Sequence, residues 1–293
     1  MRVPAIVCAL TATCVAAAAA PAPAQAPERP RGNFGGGALV APPKDLFGAG
    51  NAVIALRALE SRRLQIEATM RGRCTGGDIS AEVKVAEDGT FSAKGTATQE
   101  PGGGDRITTR YAISGAFTSA NAVEGTLSAT LTKSARGRTA RCRTGEVKFG
   151  ARRPTGKIGK RGAKGRARYF GVTAQRGVGP RRPIVLRISG DGRLISRAMF
   201  GEQVRCSDGT RSIGIEAPST NLRISRTGRV RDREKYTIDN GATRTYVTDS
   251  FTAVIGRSGA KGTFSLSDRT IDKASGNVIQ TCRSGEIKWT AAP

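Results

Sequence analysis

The sequence predicts an all-β protein with two tandem antiparallel domains, each a β-sandwich or a β-barrel with one disulfide, that derive from an internal duplication. Three observations predict this. Segments of the first half recur in the second. The 38 glycines and 13 prolines, with only 5% aromatic residues, indicate short strands and frequent turns. Apolar and polar residues alternate along the repeated segments, as in strands with one buried face.

The repeat is visible in two pairs of segments. "CRTGEVKF", Cys142 to Phe149, returns as "CRSGEIKW", Cys282 to Trp289, with only conservative differences. "IALRALESRRLQIEA", which starts at Ile54, aligns without a gap to "IVLRISGDGRLISRA", which starts at Ile184. We therefore interpret the chain as a tandem duplication, each copy being large enough to bury a core of its own.

The alignment also decides the type of the first repeated element. Taken alone, "NAVIALRALESRRL" has helical spacing, but its partner "PIVLRISGDGRL" alternates like a strand and then turns at Gly-Asp-Gly. We therefore predict a strand from Ala52 to Ala58 and a turn from Glu60 to Arg62. Further strand segments pair between the copies: "AEVKVAEDGTFSAKG" with "TNLRISRTGRVRDRE", "RYAISGAFTS" with "TYVTDSFTAVI", and "EGTLSATLT" with "KGTFSLSDRT". Seven or eight strands per copy fit a sandwich or a barrel equally well.

The first residues of the chain contain one positive charge at Arg2, then an alanine-rich apolar stretch and small residues at Ala22 and Ala24, the pattern of a secretory signal peptide. We expect cleavage after Ala24, no transmembrane segment in the mature chain, and a location outside the cytoplasm, associated with the cell envelope. The predicted organisation is a signal peptide (1–24), a disordered Pro/Gly-rich segment (25–44), a first β-domain (45–152), a basic linker (153–167) and a second β-domain (168–293).

Removal of the leader leaves four cysteines in an oxidising compartment. Each copy has one early and one late cysteine, so we predict the bridges Cys74 to Cys142 and Cys206 to Cys282. A redox role is disfavoured because the sequence has no C-x-x-C motif.

Catalytic signatures are absent from the sequence. The chain has no histidine, which excludes Ser-His-Asp, Cys-His and His-zinc chemistry, and it has no nucleotide-binding, G-x-S-x-G or calcium-loop motif. We predict no catalytic residue, no cofactor and no metal ligand, and hence no enzyme. In the repeated final strand, Val147 and Phe149, like Ile287 and Trp289, should face inward, so that Glu146 and Glu286 become solvated charges.

The net charge of +25 is uneven, and the linker "TGKIGKRGAKGRARYFG" has a glycine at every third position. Four triplets without proline are too few for collagen, and the spacing does not fit a phosphate-binding loop. We therefore predict a mobile basic linker that attracts anionic envelope polymers. The predicted contact residues are Arg153, Lys157, Lys160, Arg161, Lys164, Arg166 and Arg168, with Arg223, Arg226, Arg229, Arg231 and Arg233 of the second copy.

Two further considerations limit that prediction. A GC-rich genome favours arginine through codon usage, so the charge has a compositional explanation as well as a functional one. Few aromatic residues stand among the basic ones, which argues against specific nucleic-acid recognition.

The segment "ARYFGVTAQ...RRPIVLRISGDGRLISRAMFGEQVRCSDGTR", residues 167 to 211, resembles uncharacterised β-domains of secreted proteins from GC-rich actinobacteria. The first copy departs from the pattern, with "LFGAGNA" and "CTGGD" in the corresponding places. The resemblance implies a secreted β-domain, and because that group has no established activity, it assigns no site residue.

Together these observations favour a non-catalytic, envelope-associated binding or structural protein. A hydrolase that uses carboxylates or a Ser-Lys pair, and an inhibitor or regulator that binds a protein partner, are the alternatives from other classes.

Overall fold

The computed structural model describes residues 30–39, 51–71, 76–102, 104–135, 137–175, 179–216 and 221–293. Within these residues the fold is all-β, with no helix. The strands are β1 (Gly32–Ala38), β2 (Ala52–Ala58), β3 (Arg63–Arg71), β4 (Gly76–Lys84), β5 (Thr90–Gly102), β6 (Asp105–Ser119), β7 (Ala122–Ala135), β8 (Arg138–Arg152), β9 (Arg168–Thr173), β10 (Pro183–Ile188), β11 (Leu194–Cys206), β12 (Arg211–Glu216), β13 (Leu222–Arg223), β14 (Arg229–Asn240), β15 (Thr243–Gly256), β16 (Gly259–Asp272), β17 (Val278–Arg283) and β18 (Ile287–Ala292).

The strands form two separate antiparallel sheets that each curl on themselves. The first runs in the order β4-β3-β2-β1-β8-β7-β6-β5, and β4 packs against β5 and β6, so its two ends nearly meet. The second runs β12-β11-β10-β9-β18-β16-β15-β14, and β17 pairs with both β11 and β16. This pairing closes a ring of strands, so the second sheet is a barrel rather than a sandwich.

Equivalent strands occupy equivalent places in the two sheets. In the first, β1 lies between β2 and β8, and in the second, β9 lies between β10 and β18. Phe34 stands opposite Leu56 just as Tyr169 stands opposite Leu186. This correspondence of strand order and register is what a tandem duplication predicts.

The beginning of the first sheet differs from the sequence-based expectation. Residues 25–44 were expected to be disordered and the first domain to begin at 45, yet residues 32–38 form β1, and Phe34 is fully buried. The expectation is wrong for this stretch because β1 supplies the hydrogen-bonding partner that β2 and β8 share. The register also makes Phe34, not the later "LFGAGNA", the counterpart of Tyr169.

The glycines of β1 have a packing role that their composition concealed. A Cβ on Gly35 would overlap the carbonyl oxygen of Gly171, in the other half of the chain. One on Gly36 would overlap the carbonyl oxygen of Gly150. Glycine is therefore required at both positions because the backbones approach closely, and its presence there does not indicate disorder.

The predictions for the repeated strands are confirmed. Residues Ala52–Ala58 form β2, and a turn follows at residues 60–62. In the last strand of each sheet, Val147, Phe149, Ile287 and Trp289 are buried, whereas the glutamates and lysines that alternate with them are exposed.

Each sheet encloses an apolar core of its own. In the second, Phe200 stacks on Phe264 with ring centroids 4.9 Å apart, and Phe251 stacks on Trp289 at 5.6 Å. A third, smaller cluster joins residues of both halves. It consists of Leu39, Val53, Phe170, Val185 and Met199.

The disulfide between Cys206 and Cys282 is present, as predicted, and the two residues stand opposite each other on β11 and β17. Cys74 lies outside the described residues, so its bridge to Cys142 stays a prediction. The same holds for the signal peptide, because residues 1–29 are also outside them.

Candidate functional site

The basic linker lies against the second sheet over most of its length. The backbone N–H of Ser258 donates to the carbonyl of Ile158 at 3.0 Å, and that of Arg257 donates to Lys160 at 2.8 Å. The backbone N–H of Gly162 in turn donates to the carbonyl of Ile255 at 3.1 Å. These bonds hold the first part of the linker against the turn between β15 and β16.

The second part of the linker is held by another turn. Arg166 donates its backbone N–H to Ser189 at 2.9 Å, and Ile188 donates to Ala167 at 2.9 Å. Ala163 and Ala167 pack against the apolar core of the second half. The expectation of a mobile linker is therefore wrong, because its backbone groups find partners in the sheet that follows.

A fixed basic surface results from this packing. A Cβ on Gly228 would lie 3.1 Å from the nitrogen of Gly162, which places the turn between β13 and β14 beside the linker as well. We define the basic surface by its exposed cations on the linker and the three turns. These are Lys157, Lys160, Arg161, Lys164, Arg166, Arg193, Arg226, Arg229 and Arg257.

Among the described residues, none of these cations forms an ion pair within 4.0 Å, and the one acid in the same segments is Asp191. Asp191 accepts hydrogen bonds from the Ser189 hydroxyl at 2.5 Å and from the Arg193 N–H at 3.0 Å. These two bonds lower the pKa of Asp191. It is thus occupied within its own turn, and the surface keeps a strong excess of positive charge.

Further predicted residues extend the positive charge along the edge of the sheet. Arg231 and Arg233 point outward from β14, which ends the second sheet. Leu222 and Ile224 are buried and Arg223 between them is exposed, as the alternation of "NLRIS" predicts. Arg168 is exposed at the start of β9.

Arg153 does not belong to this surface. Its guanidinium donates to the side-chain oxygen of Asn121 at 2.8 Å and to the backbone carbonyl of Arg31 at 2.6 Å. It also lies 5.9 Å from the ring centroid of Phe34. This side chain joins the residue before β1 to the turn between β6 and β7. The predicted contact of Arg153 with an anionic polymer stays a prediction.

A cleft of about 310 Å³ lies where the two halves meet, and sequence reasoning gave no sign of it. Apolar residues such as Val53 and Ile79 line much of it. Both acids of the cleft already have partners. The guanidinium Nη1 of Arg182 lies 2.5 Å from Oε2 of Glu67, and Nε2 of Gln99 donates to Oδ2 of Asp78 at 2.5 Å. The cleft offers room for a small apolar group but no convergent pair of free carboxylates.

No family model matches the chain, and no curated protein matches it. Among solved structures, one described as a "putative AttH" from Nitrosomonas europaea is similar at 9% identity, covering 93% of this chain and 99% of that one, with a TM-score of 0.22. A likeness this weak gives no argument about function. Within the described residues we find no helix with the length and apolar character needed to cross a bilayer.

Proposed function

We propose that the protein is a secreted, non-catalytic binding protein of the cell envelope that holds anionic polymers on its basic surface. The observation that carries the proposal is the fixed linker, which brings five exposed cations beside Arg193, Arg226, Arg229 and Arg257 with no ion pair among the described residues. Because the linker backbone is already ordered, binding a polymer requires little loss of conformational entropy in the protein.

The proposal predicts binding by charge with little preference for sugar or base. Each contact between a cation and the polymer releases counterions, so the affinity falls as salt rises. The arrangement has no exposed aromatic residue among its cations, and such rings are the usual platforms for stacking on bases. Specific nucleic-acid recognition is therefore not part of the proposal.

A purely structural explanation exists for some of the same residues. Charged side chains on an edge strand prevent sheets from joining edge to edge, and β14 is such a strand. This explanation covers Arg229, Arg231 and Arg233. It does not cover the linker, whose cations lie over the turns and not along an unpaired edge.

The test compares two variants with the same change of charge. In the first, Lys157, Lys160, Arg161, Lys164 and Arg166 are replaced by glutamine. In the control, five exposed cations of the first half are replaced in the same way: Lys84, Lys94, Arg106, Arg138 and Arg141. Binding to heparin and to teichoic acid is measured against salt concentration.

The linker variant should bind more weakly at low salt. The slope of its plot of log affinity against log salt should decrease in magnitude by up to about one for each replaced cation that had contacted the polymer. Its melting temperature should not change, because the replaced side chains are exposed. The control should keep most of the binding. Equal loss in both variants would mean that net charge alone attracts the polymer, and retention that survives near-molar salt would refute an electrostatic mechanism.

A protein partner is the second candidate, and it rests on a separate observation. Ile238, Val278 and Ile279 are 41%, 54% and 54% exposed. The registers of β14 to β17 place them toward the same end of the second sheet. If this end binds a protein, chemical crosslinking in secreted fractions should join the natural protein to that partner. Replacing Ile238 and Ile279 by serine should abolish the crosslinked product while leaving heparin binding unchanged.

A further inference from the structure

Three carboxylates meet on the inner face of the second sheet. Asp232 and Glu234 lie on β14 and Asp249 on β15, where Glu234 and Asp249 are direct register partners. Along its strand, each of the three lies on the same face as a core residue, Val230 on β14 or Phe251 on β15. One oxygen from each carboxylate lies within 4.8 Å of the other two.

Two buried oxygens of this cluster lack hydrogen-bond partners, and no cation of the described residues balances its charge. Asp249 is only 4% exposed, and although the Glu234 backbone donates a hydrogen bond to its carboxylate, its Oδ1 has no partner. The buried Oδ2 of Asp232 has none either. Among the described residues, no lysine or arginine forms an ion pair with any of the three. An arrangement of like charges without compensation is costly for the folded protein.

The first sheet shows that the fold does not need acids at these places. The two sheets can be aligned by register, because Gly125 pairs with Phe149 in the first as Gly262 pairs with Trp289 in the second. In this alignment the positions of Asp232, Glu234 and Asp249 are occupied in the first sheet by Ala93, Gly95 and Tyr111, respectively. There the Tyr111 ring lies over Gly95, since a Cβ on Gly95 would be 2.7 Å from its hydroxyl. The uncharged version packs well, so the acids of the second sheet have another use.

We propose that Asp232, Glu234 and Asp249 bind a hard divalent cation, foremost Ca²⁺. Carboxylate oxygens are the ligands such ions prefer, and the chain has no histidine that would favour zinc or copper at this site. Asp232 and Glu234 are partly exposed, so solvent reaches the cluster and water molecules complete the six to eight oxygens that Ca²⁺ takes. The buried Asp249 provides the fixed ligand.

The experiment uses the full protein stripped with EDTA and then supplied with CaCl₂, MgCl₂ or ZnCl₂ alone. Isothermal titration calorimetry should show one Ca²⁺ site, and Ca²⁺ at a hundred times its Kd should raise the melting temperature by about 5 °C or more. Asp249→Asn should abolish both effects. Glu286→Gln, which removes an exposed acid from the connection between β17 and β18, should keep them.

The absence of both heat and stabilisation with Ca²⁺ and Mg²⁺ would overturn the proposal, as would unchanged Ca²⁺ binding by Asp249→Asn. A response to Zn²⁺ alone would overturn the assignment of a hard cation. If Asp249→Asn does not fold, Asp232→Asn and Glu234→Gln serve instead, and each should weaken Ca²⁺ binding at least tenfold. No polymer is present in these measurements, so their outcome is independent of the proposed function.

Discussion

At the tip of the hairpin between β10 and β11, Gly192 has a φ of +76°, where residues with a side chain are strained. A Cβ there would also lie 3.0 Å from the carbonyl oxygen of Ala163 in the linker. We expect Gly192→Ala to lower the free energy of unfolding by about 1 kcal/mol or more. The matched control is Gly190→Ala in the same turn, where the nearest atom would be 4.0 Å away.

Urea unfolding of both variants measures the difference. Gly190→Ala should stay within about 0.5 kcal/mol of the natural protein, as surface substitutions usually do. Equal destabilisation by the two substitutions would show that the turn tolerates no side chain at all, and that the positive φ of Gly192 is not the cause.

Asp249 gives the protein a pH dependence of stability. Burial, followed by the charges of Glu234 and Asp232, raises its pKa from 3.8 to about 6. Between these values the folded protein keeps a proton that the unfolded chain has lost. The free energy of unfolding should therefore fall as pH rises from about 4 to about 6, by about 3 kcal/mol in total. Urea unfolding with EDTA at several pH values measures this fall, and Asp249→Asn should remove most of it.

Other acids of the protein change its stability in the same direction as Asp249 or act at lower pH. Asp268 is half-buried on β16, and burial raises its pKa. Burial and the charge of Asp232 raise the pKa of Glu234. They should leave a smaller fall in the variant. Hydrogen bonds within exposed turns lower the pKa of Asp88 and Asp208, whose effect lies below pH 3.8 and has the opposite sign. An unchanged slope in Asp249→Asn would contradict the assignment.

Alternation along the sequence predicted which side of a strand each residue occupies, but not what lies across the sheet. It placed Leu222 and Ile224 inside and Arg223 outside correctly. It could not reveal the acidic cluster, because an acid in a strand is normally on the solvent side and the cluster forms only when β14 and β15 take their register. Counting from Val230 would have put Asp232 on the inner face, a signal that was available in the sequence.

The linker is the element whose behaviour the structure changes most. Because the Gly162 N–H donates to the Ile255 carbonyl and the Arg166 N–H donates to the Ser189 carbonyl, those two amide protons should exchange slowly. We expect native-state hydrogen exchange to show protection across residues 161–167 that disappears in denaturant. Complete exchange within seconds, as in a free hinge, would contradict the packed linker and remove the ordered surface from the proposed function.

Glycine and charge in the linker predicted mobility because both disfavour a packed segment when the rest of the chain is ignored. The turns around residues 190, 227 and 257 are far apart in sequence, and only the closed second sheet brings them to the linker. Long-range convergence of this kind leaves no local pattern. For the same reason β1 was not predicted, because the sequence of a glycine-rich strand alone does not distinguish it from a loop.

The two halves are joined by more than the linker. At their junction Phe170, Val185 and Met199 are buried together with Val53 of the first half. Arg197, 1% exposed, donates to the side-chain oxygen of Asn51 at 3.4 Å, and Arg182 pairs with Glu67. The repeated segments predicted separate cores, and these exist, but they did not predict that the outer faces of β1, β9 and β10 would become a shared interior.

Separate cores and a shared junction together determine how the second half should behave alone. A fragment of residues 153–293 keeps its own core and its disulfide, so it should unfold cooperatively. It exposes the apolar residues of the junction, so it should be less stable than the intact protein and should associate at high concentration. The fragment starts at 153 because the linker packs on the second sheet.

Met199→Ala distinguishes the contributions of core and junction. In the intact protein Met199 is 1% exposed, and its truncation should lower the free energy of unfolding by about 2–4 kcal/mol. In the fragment the same side chain is solvated, so the substitution should change stability by less than about 0.5 kcal/mol. Phe200→Leu, within the core of the second half, should destabilise both forms. An equal loss from Met199→Ala in both would show that the junction contributes nothing, and a disordered fragment would show that the two halves fold only as one unit.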